Sequence, residues 1–207
     1  MNASASPDSA PPTLAPTLFS GDASPRRRQI LEIAAQLFAR HGYQGTSIRD
    51  IGERAGLLGG SLYHYIKSKD ALFVEIHHAA LESARQAVET TIARYTDPWL
   101  RLEAACRTLL EIQLAPDSLT LPLMNDFRRV PPSVQDQMIA TRDAFEDVFR
   151  RLVDELPIPA EIDRRLYRIM LLSLLNSAGE WYQPGRLTPA EIGAQVIRIY
   201  RHEAGAA

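Results

Sequence analysis

The chain is predicted to be all-α, an assembly of nine or so helices, on three observations. Apolar residues recur at three- and four-residue intervals in almost every segment beyond residue 24. Nowhere does the two-residue alternation of a half-buried strand occur. Helix ends are signposted by Ser24-Pro25, Gly42, Gly56 and Asp97-Pro98. The 207 residues, 45% hydrophobic and 23% charged, have room for one large domain or two small ones, and no internal repeat is visible.

Residues 1–24 are rich in Ser, Ala, Pro and Thr, carry almost no charge and place prolines at 7, 11, 12 and 16; a disordered tail is expected. The first helix should run from Pro25 to His41, with Ser24 as N-cap and Ile30, Ile33, Ala34, Leu37 and Phe38 on one face. Gly42 ends it. Thr46 and Ser47 can cap a short second helix whose inner face is Ile48, Ile51 and Ala55, and Gly56, free to take positive φ, breaks it. A third short helix turns Leu62 and Ile66 inward and Ser61, Tyr63 and His64 outward. Ser68 caps a long fourth helix from Lys69 to about Tyr95, striped by Leu72, Phe73, Ile76, Ala80 and Ala87, whose length suits a connector. Asp97 and Pro98 open the next, with Trp99, Leu102, Cys106, Leu109 and Leu110 inward. A short apolar piece spans Leu121 to Val130 between proline-containing turns. Ser133 to Leu156 is a long helix carrying Val134, Met138, Phe145, Val148, Phe149 and Leu152 on one side. The last two are expected from Pro159 to about Trp181 and from Pro189 to His202, the latter with Ile192, Val196 and Ile199 inward.

Two short helices joined by a glycine turn form a helix-turn-helix, the geometry that sets its second helix into the major groove of double-stranded DNA. Charge agrees. The chain has a net charge of −2, but residues 26–69 hold eight Lys and Arg against three Asp and Glu, a local +5 that leaves −7 for the remainder. A basic module on an acidic body is the footprint of a protein that touches DNA with one end. Phosphate contacts are assigned to Thr46 and Ser47 at a helix start, to Arg49 one turn along, to Lys69 at the next helix start and to the hydroxyl of Tyr63. Arg26, Arg27 and Arg28 can reach the backbone or a minor groove. Base reading falls to Leu58, Gly59, Gly60, Ser61 and His64, with Ser61 able to bond a base edge and Leu58 to meet a thymine methyl.

Other classes find little support. No apolar run nears the roughly eighteen residues that a membrane helix needs, and the amino terminus lacks the basic start and apolar core of a secretion signal. The single cysteine, Cys106, allows no intramolecular disulfide and fits the cytoplasm, the expected location, with the nucleoid as its place when DNA-bound. A nucleophile elbow, a HExxH helix and clustered Cys/His ligands are all missing, so no enzyme activity, metal or cofactor is expected. Adjacent His77 and His78 point about 100° apart on a helix and make no paired metal face. Gly56 to Gly60 lacks the Lys-Ser/Thr continuation of a phosphate-binding loop.

Spacings between residues 26 and 75 carry a resemblance. They include Ala34-Ala35, Leu37-Phe38, Gly42-Tyr43 and Gly45-Thr46, then Thr46-Ser47-Ile48-Arg49-Asp50-Ile51, Ala55-Gly56, Gly60-Ser61-Leu62-Tyr63 and Ser68-Lys69-Asp70-Ala71-Leu72. On these residues the chain resembles the TetR (tetracycline-repressor-like) family of bacterial transcriptional regulators. The resemblance implies a helix-turn-helix DNA-binding domain over residues 25–72 and a helical effector-binding and dimerisation domain over 73–207. It also implies a homodimer on a palindromic operator, a phosphate-bound Lys69 and repression relieved by a small molecule. The chain departs from the family pattern where Leu58 replaces a small hydroxyl residue, Gly59 a bulkier polar one, Ile66 an aromatic and Gly52 an alanine. The glycines remove side-chain readers, and Gly52 inside a helix should cost about 1 kcal/mol relative to alanine.

Beyond residue 80 the resemblance is looser. The segment from Asn176 to Pro189 is similar to one in a branch that includes regulators of fatty-acid, sterol and aromatic-acid breakdown, several responsive to acyl-CoA thioesters. It implies an effector with an apolar acyl part and an anionic head, such as an acyl-CoA. Trp99, Cys106, Leu109, Met124, Phe127, Phe145 and Phe149 would line its pocket, with Arg128, Arg129 or Arg142 near the mouth. Trp181 falls to pocket or interface, and the dimer surface to Glu161–Trp181 and Pro189–Tyr200, packed as a four-helix bundle. Plainer readings stand beside these: the aromatics as ordinary core, Cys106 as a small core residue, Arg128-Arg129 as a solvated pair. The rival function on the same fold is a DNA-bound adaptor that contacts another protein instead of sensing a small molecule.

Overall fold

A computed structural model describes residues 19, 24–116, 118 and 126–204; most of the amino-terminal tail and the expected pocket residue Met124 lie outside the described residues. Among these residues the chain is all-α, with eight α-helices and one 3-10 turn. Helix α1 (Pro25–His41) starts where the Ser24 hydroxyl accepts the Arg27 N–H at 3.3 Å and stops at Gly42, whose φ of +72° closes the helix by a conformation only glycine takes cheaply. Helix α2 (Ile48–Arg54) opens on a complete capping box between Ser47 and Asp50 and ends before Gly56, φ +65°. The turn leads into α3 (Gly59–Leu62), a single helical turn. Ser68 caps α4 (Lys69–Ile92) through the Ala71 N–H at 3.0 Å, and Asp97 caps α5 (Pro98–Gln113) through the Leu100 N–H at 2.9 Å. A 3-10 turn over Asp126–Arg129 precedes α6 (Pro132–Asp154). The last two are α7 (Arg164–Trp181) and α8 (Pro189–Ala204). Helix α7 begins later than Pro159 because Asp163 supplies the cap, accepting the Leu166 N–H at 2.7 Å.

Apolar side chains sort into two cores. The head core gathers Ile30, Leu31, Ala34 and Phe38 of α1, Ile51, Leu62 and Ile66 of the motif, and Leu72, Phe73, Ile76 and Ala80 of α4. The body core begins on α4 at Leu81 and takes in α5, α6, α7 and α8. Helix α4 therefore changes partners midway. Its buried stripe continues as Leu81, Ala84, Val88 and Ile92, whereas the expected Ala87 is half-buried. On α8, Ile192 and Val196 face inward as expected, but Ile199 is exposed. Helices α5 and α8 meet backbone to backbone: a Cβ on Gly193 would sit 2.8 Å from the Arg107 Cα, so a side chain there would push the two apart.

Helix α4 is not the sole bridge between head and body. Val130, Val134 and Met138, from the turn's end and the start of α6, are buried in the head core. The buried carboxylate of Asp126 accepts the Tyr43 N–H in the α1–α2 loop, and the Gln44 side-chain amide donates to the Arg129 carbonyl at 3.1 Å. At the other end of α6, the Arg164 guanidinium donates to the Val153 and Leu156 carbonyls at 2.6 and 3.1 Å, satisfying acceptors that a helix terminus leaves open.

Candidate nucleic-acid interface

Helix α3 has an inner and an outer side because two of its side chains and close neighbours are buried in apolar company, with Leu57 and Tyr65 packed partly against the same core. Leu62 and Ile66 are buried in the head core and fix its seat. On the opposite side Leu58 is 86% exposed, Tyr63 58% exposed, His64 exposed and Ser61 half-buried. A Cβ on Gly60 would meet nothing within 4 Å, so the outer face is open there. A leucine side chain and a tyrosine ring left this bare on one side of the motif suit a contact surface.

The flanking groups divide into free and committed. Arg49 projects outward beside Glu53, with Nε 2.7 Å from the carboxylate, and Arg54 and Lys67 of the same module are exposed. Ser47 is exposed, but its hydroxyl and N–H both serve Asp50, and those bonds hold the Asp50 carboxyl below its usual range. Lys69 is half-buried, its ammonium 4.1 Å over the Tyr43 ring, a cation–π contact that also orients it. Partial burial lowers its pKa, and the nearby Asp70 opposes that shift. Tyr43 in turn donates its hydroxyl to Asp70, and burial first, then Asp70, pushes that phenol up to about 12, so it stays a donor.

Three expected backbone contacts have other duties. Thr46 is only 2% exposed and donates its hydroxyl to the Gly42 carbonyl at 2.9 Å; it stitches the loop before α2, and the neighbouring Ser47 takes the cap. Arg27 makes a two-pronged pair with Glu75, 2.7 Å on each arm, and its Nε donates to the Tyr65 carbonyl at 3.3 Å. Arg26 donates to the Ala55 carbonyl at 2.6 Å and closes the end of α2. These two guanidiniums hold the head together, and using either on DNA would first break those bonds. Asp70, Glu75 and Asp126 were missed as positioning residues. One signal was available for Asp126: a lone acid inside an apolar stretch needs a partner.

The expected pocket residues fall in different places. Trp99, Cys106, Leu109, Phe145 and Phe149 are buried together in the body core, and burial pushes the Cys106 thiol up, which leaves it unreactive. Phe127 is half-buried against the head core, beneath the Arg142 guanidinium at 4.3 Å, and Arg128 is exposed. Trp181 is half-exposed on the outer side of α7 and donates to the Ser177 hydroxyl, away from the body core.

Residues 30–76 match the family model described as bacterial regulatory proteins, tetR family, and residues 95–203 match that of the tetracyclin repressor-like C-terminal domain. The chain belongs to the TetR family. TetR-family proteins are transcriptional regulators, not enzymes. The HTH-type transcriptional repressor KstR2 of Rhodococcus jostii is 29% identical over 182 residues, covering 85% of this chain and 89% of that protein. The structure of the ketosteroid transcriptional regulator KstR2 of Mycobacterium tuberculosis superposes with a TM-score of 0.68 at 25% identity, covering 88% of this chain and 96% of that one. AibR, solved in complex with isovaleryl coenzyme A and operator DNA, shares the fold with a TM-score of 0.68 at 21% identity, covering 84% and 97%. No helix among the described residues is long and apolar enough to cross a membrane.

Proposed function

We propose that this TetR-family regulator is a homodimeric repressor, released from a palindromic operator when a hydrophobic acyl derivative, such as an acyl-CoA, binds its body. One observation carries the DNA half of this reading: an outward face made by Leu58, Ser61, Tyr63 and His64 of α3 and its two flanks, seated by buried Leu62 and Ile66 on a segment of charge +5. Tyr63, Lys69 and Arg49 fix the head on phosphates, while Leu58, Gly59, Gly60, Ser61 and His64 meet base edges. With two glycines at the front of α3, backbone approach and groove shape take a larger share of recognition than side chains do.

One head covers a few base pairs, so a two-fold pair is needed for a near-palindrome. Leu166, Met170 and Leu174 of α7 lie on one exposed side, four residues apart, and exposed Ile199 of α8 stands near it. An apolar surface of this size is covered when a second copy brings the same helices against it. The effector class is supported by KstR2, a ketosteroid regulator by name, and by the coenzyme A thioester bound to AibR. Release follows from linkage: a ligand that favours the conformer with wrongly spaced heads weakens operator binding by the same factor. Both α4 and the turn that holds Tyr43 can transmit that change.

The test is selection of bound genomic fragments, followed by anisotropy titrations over a salt series. Affinity should fall with salt at a slope of about −0.9 per phosphate neutralised. Lys69→Ala should lower affinity across all fragments, and a panel of acyl-CoA thioesters together with their free acids should contain one that releases the DNA. Salt-insensitive binding without fragment preference would sink the DNA half; a panel without effect would sink the effector half.

A further inference from the structure

We propose that Arg142 and His77 form the anchor for the carboxylate of an apolar acid, seated between α4, α6 and the turn Asp126–Arg129. The two residues come from facing helices. Their chain neighbours touch: the Thr141 hydroxyl lies 3.0 Å from the His78 ring nitrogen Nδ1, which fixes α6 against α4 at this level. His77 is fully buried, and neither ring nitrogen has a hydrogen-bond partner. The Arg142 Nη1 is likewise buried without a partner, while its guanidinium lies over the Phe127 ring at 4.3 Å. Glu146 and Asp143 attract Arg142 and Arg128 repels it, but neither acid makes a hydrogen-bonded ion pair with it.

A fully buried imidazole without partners, beside a half-buried guanidinium with one buried and unmatched N–H, is costly, and an unmatched pair of this kind is suited to a ligand that supplies the missing acceptor. The chemistry of the pair selects the ligand. Arg142 presents an N–H, and neutral His77 presents one more; a carboxylate has acceptors for both. Desolvation first, then the Arg142 and His78 charges, hold His77 neutral, with its pKa pushed down to about 3. A cation is repelled by Arg142. A phosphate head group brings nearly two charges to a single guanidinium inside a buried site, whereas a carboxylate brings one. The Phe127 ring supplies an apolar wall, so the rest of the ligand is apolar.

This anchor rests on the effector half of the proposed function and adds a mechanism to it. Phe127, beneath Arg142, adjoins Asp126, which holds the Tyr43 N–H of the head. A ligand that draws Arg142 toward itself acts on the turn that grips the DNA-binding module. The anchor also takes the free acid in preference to its thioester, which lacks the anionic oxygen.

Calorimetry on the full chain, without DNA, tests it with octanoate and 3-phenylpropionate, each against its matched primary alcohol and its CoA thioester. At least one acid should bind ten-fold or more tightly than its alcohol and than its thioester. Arg142→Met should remove that preference and leave the alcohol unchanged. Because this variant deletes a half-buried charge with no ion-pair partner, its ligand-free melting temperature should not fall, which also checks that it folds. His77→Gln should weaken the acid without abolishing the preference. Equal binding of acid and alcohol, binding of neither acid, a preference for the thioester, or a preference that survives Arg142→Met would each overturn the anchor. Acid binding as expected with no effect on operator affinity would instead count against the effector half of the proposed function.

Discussion

Tyr63 and Thr46 show how two hydroxyls in one motif come to different work. Tyr63 stands over half exposed beside α3, so removing its hydroxyl should leave the fold alone. Tyr63→Phe is expected to change unfolding free energy by less than about 0.5 kcal/mol while lowering operator affinity about ten-fold per half-site, the value of a hydrogen bond to a charged phosphate. Denaturant titration and DNA anisotropy on the same preparation separate the two effects. His77 is the opposite case, a buried imidazole whose pKa is pushed from 6.5 to about 3 by desolvation and by the Arg142 and His78 charges. Between those values the unfolded chain takes up a proton that the folded chain refuses. The contribution of His77 to stability is therefore intact above pH 6.5 and is lost as the pH falls below it, at about 1.4 kcal/mol per pH unit. His77→Leu should accordingly lose about 1 kcal/mol less than the wild type between pH 7 and pH 5.5, read from urea unfolding at each pH.

At the scale of the helices, Gly52 gives a clean prediction. It is buried in α2 with ordinary backbone angles, and an added Cβ would lie 3.5 Å from the Leu57 carbonyl oxygen and 3.8 Å from the Leu62 Cδ2, both ordinary contacts. Gly52→Ala should therefore stabilise the head by about 0.5–1 kcal/mol through helix propensity alone, seen as a higher melting temperature with operator affinity retained. Helix boundaries were readable because their determinants are local: Ser24, Ser68 and Asp97 each cap a helix within three residues of themselves, and Gly42 and Gly56 stop one. The inner face of α3 was readable for the same reason, from the spacing of Leu62 and Ile66. Side-chain commitments across long separations were not. Nothing near Arg27 announces Glu75, 48 residues away, and nothing near Tyr43 announces Asp126, 83 residues away. Thr46 and Ser47 are each fit to cap α2, and only the buried turn decides which one does. The α4 stripe drifted past Ala80 because the helix leaves one core for another there, and a single-helix pattern carries no sign of that exchange.

For the molecule as a whole, the exposed side of α7 is an apolar surface that a second copy would cover. Met170→Glu places a charge in the middle of that side, between Leu166 and Leu174, all three exposed in the single chain. The variant should remain folded but run as a monomer in light scattering, and its operator affinity should drop at least a hundred-fold because one head then binds without its twin. A folded dimer that carries this substitution would place the interface elsewhere.

The grip of Asp126 on Tyr43, with Val130, Val134 and Met138 set among the head's apolar side chains, limits how this protein can be recombined. A graft that moved residues 25–80, the head core as far as Ala80 of α4, onto a relative's body would strand the Tyr43 amide and present a socket cut for foreign side chains. The transplantable unit is discontinuous: it includes the stretch from Asp126 to Met138, and hybrids that carry both pieces are the ones that should recognise this protein's own operator.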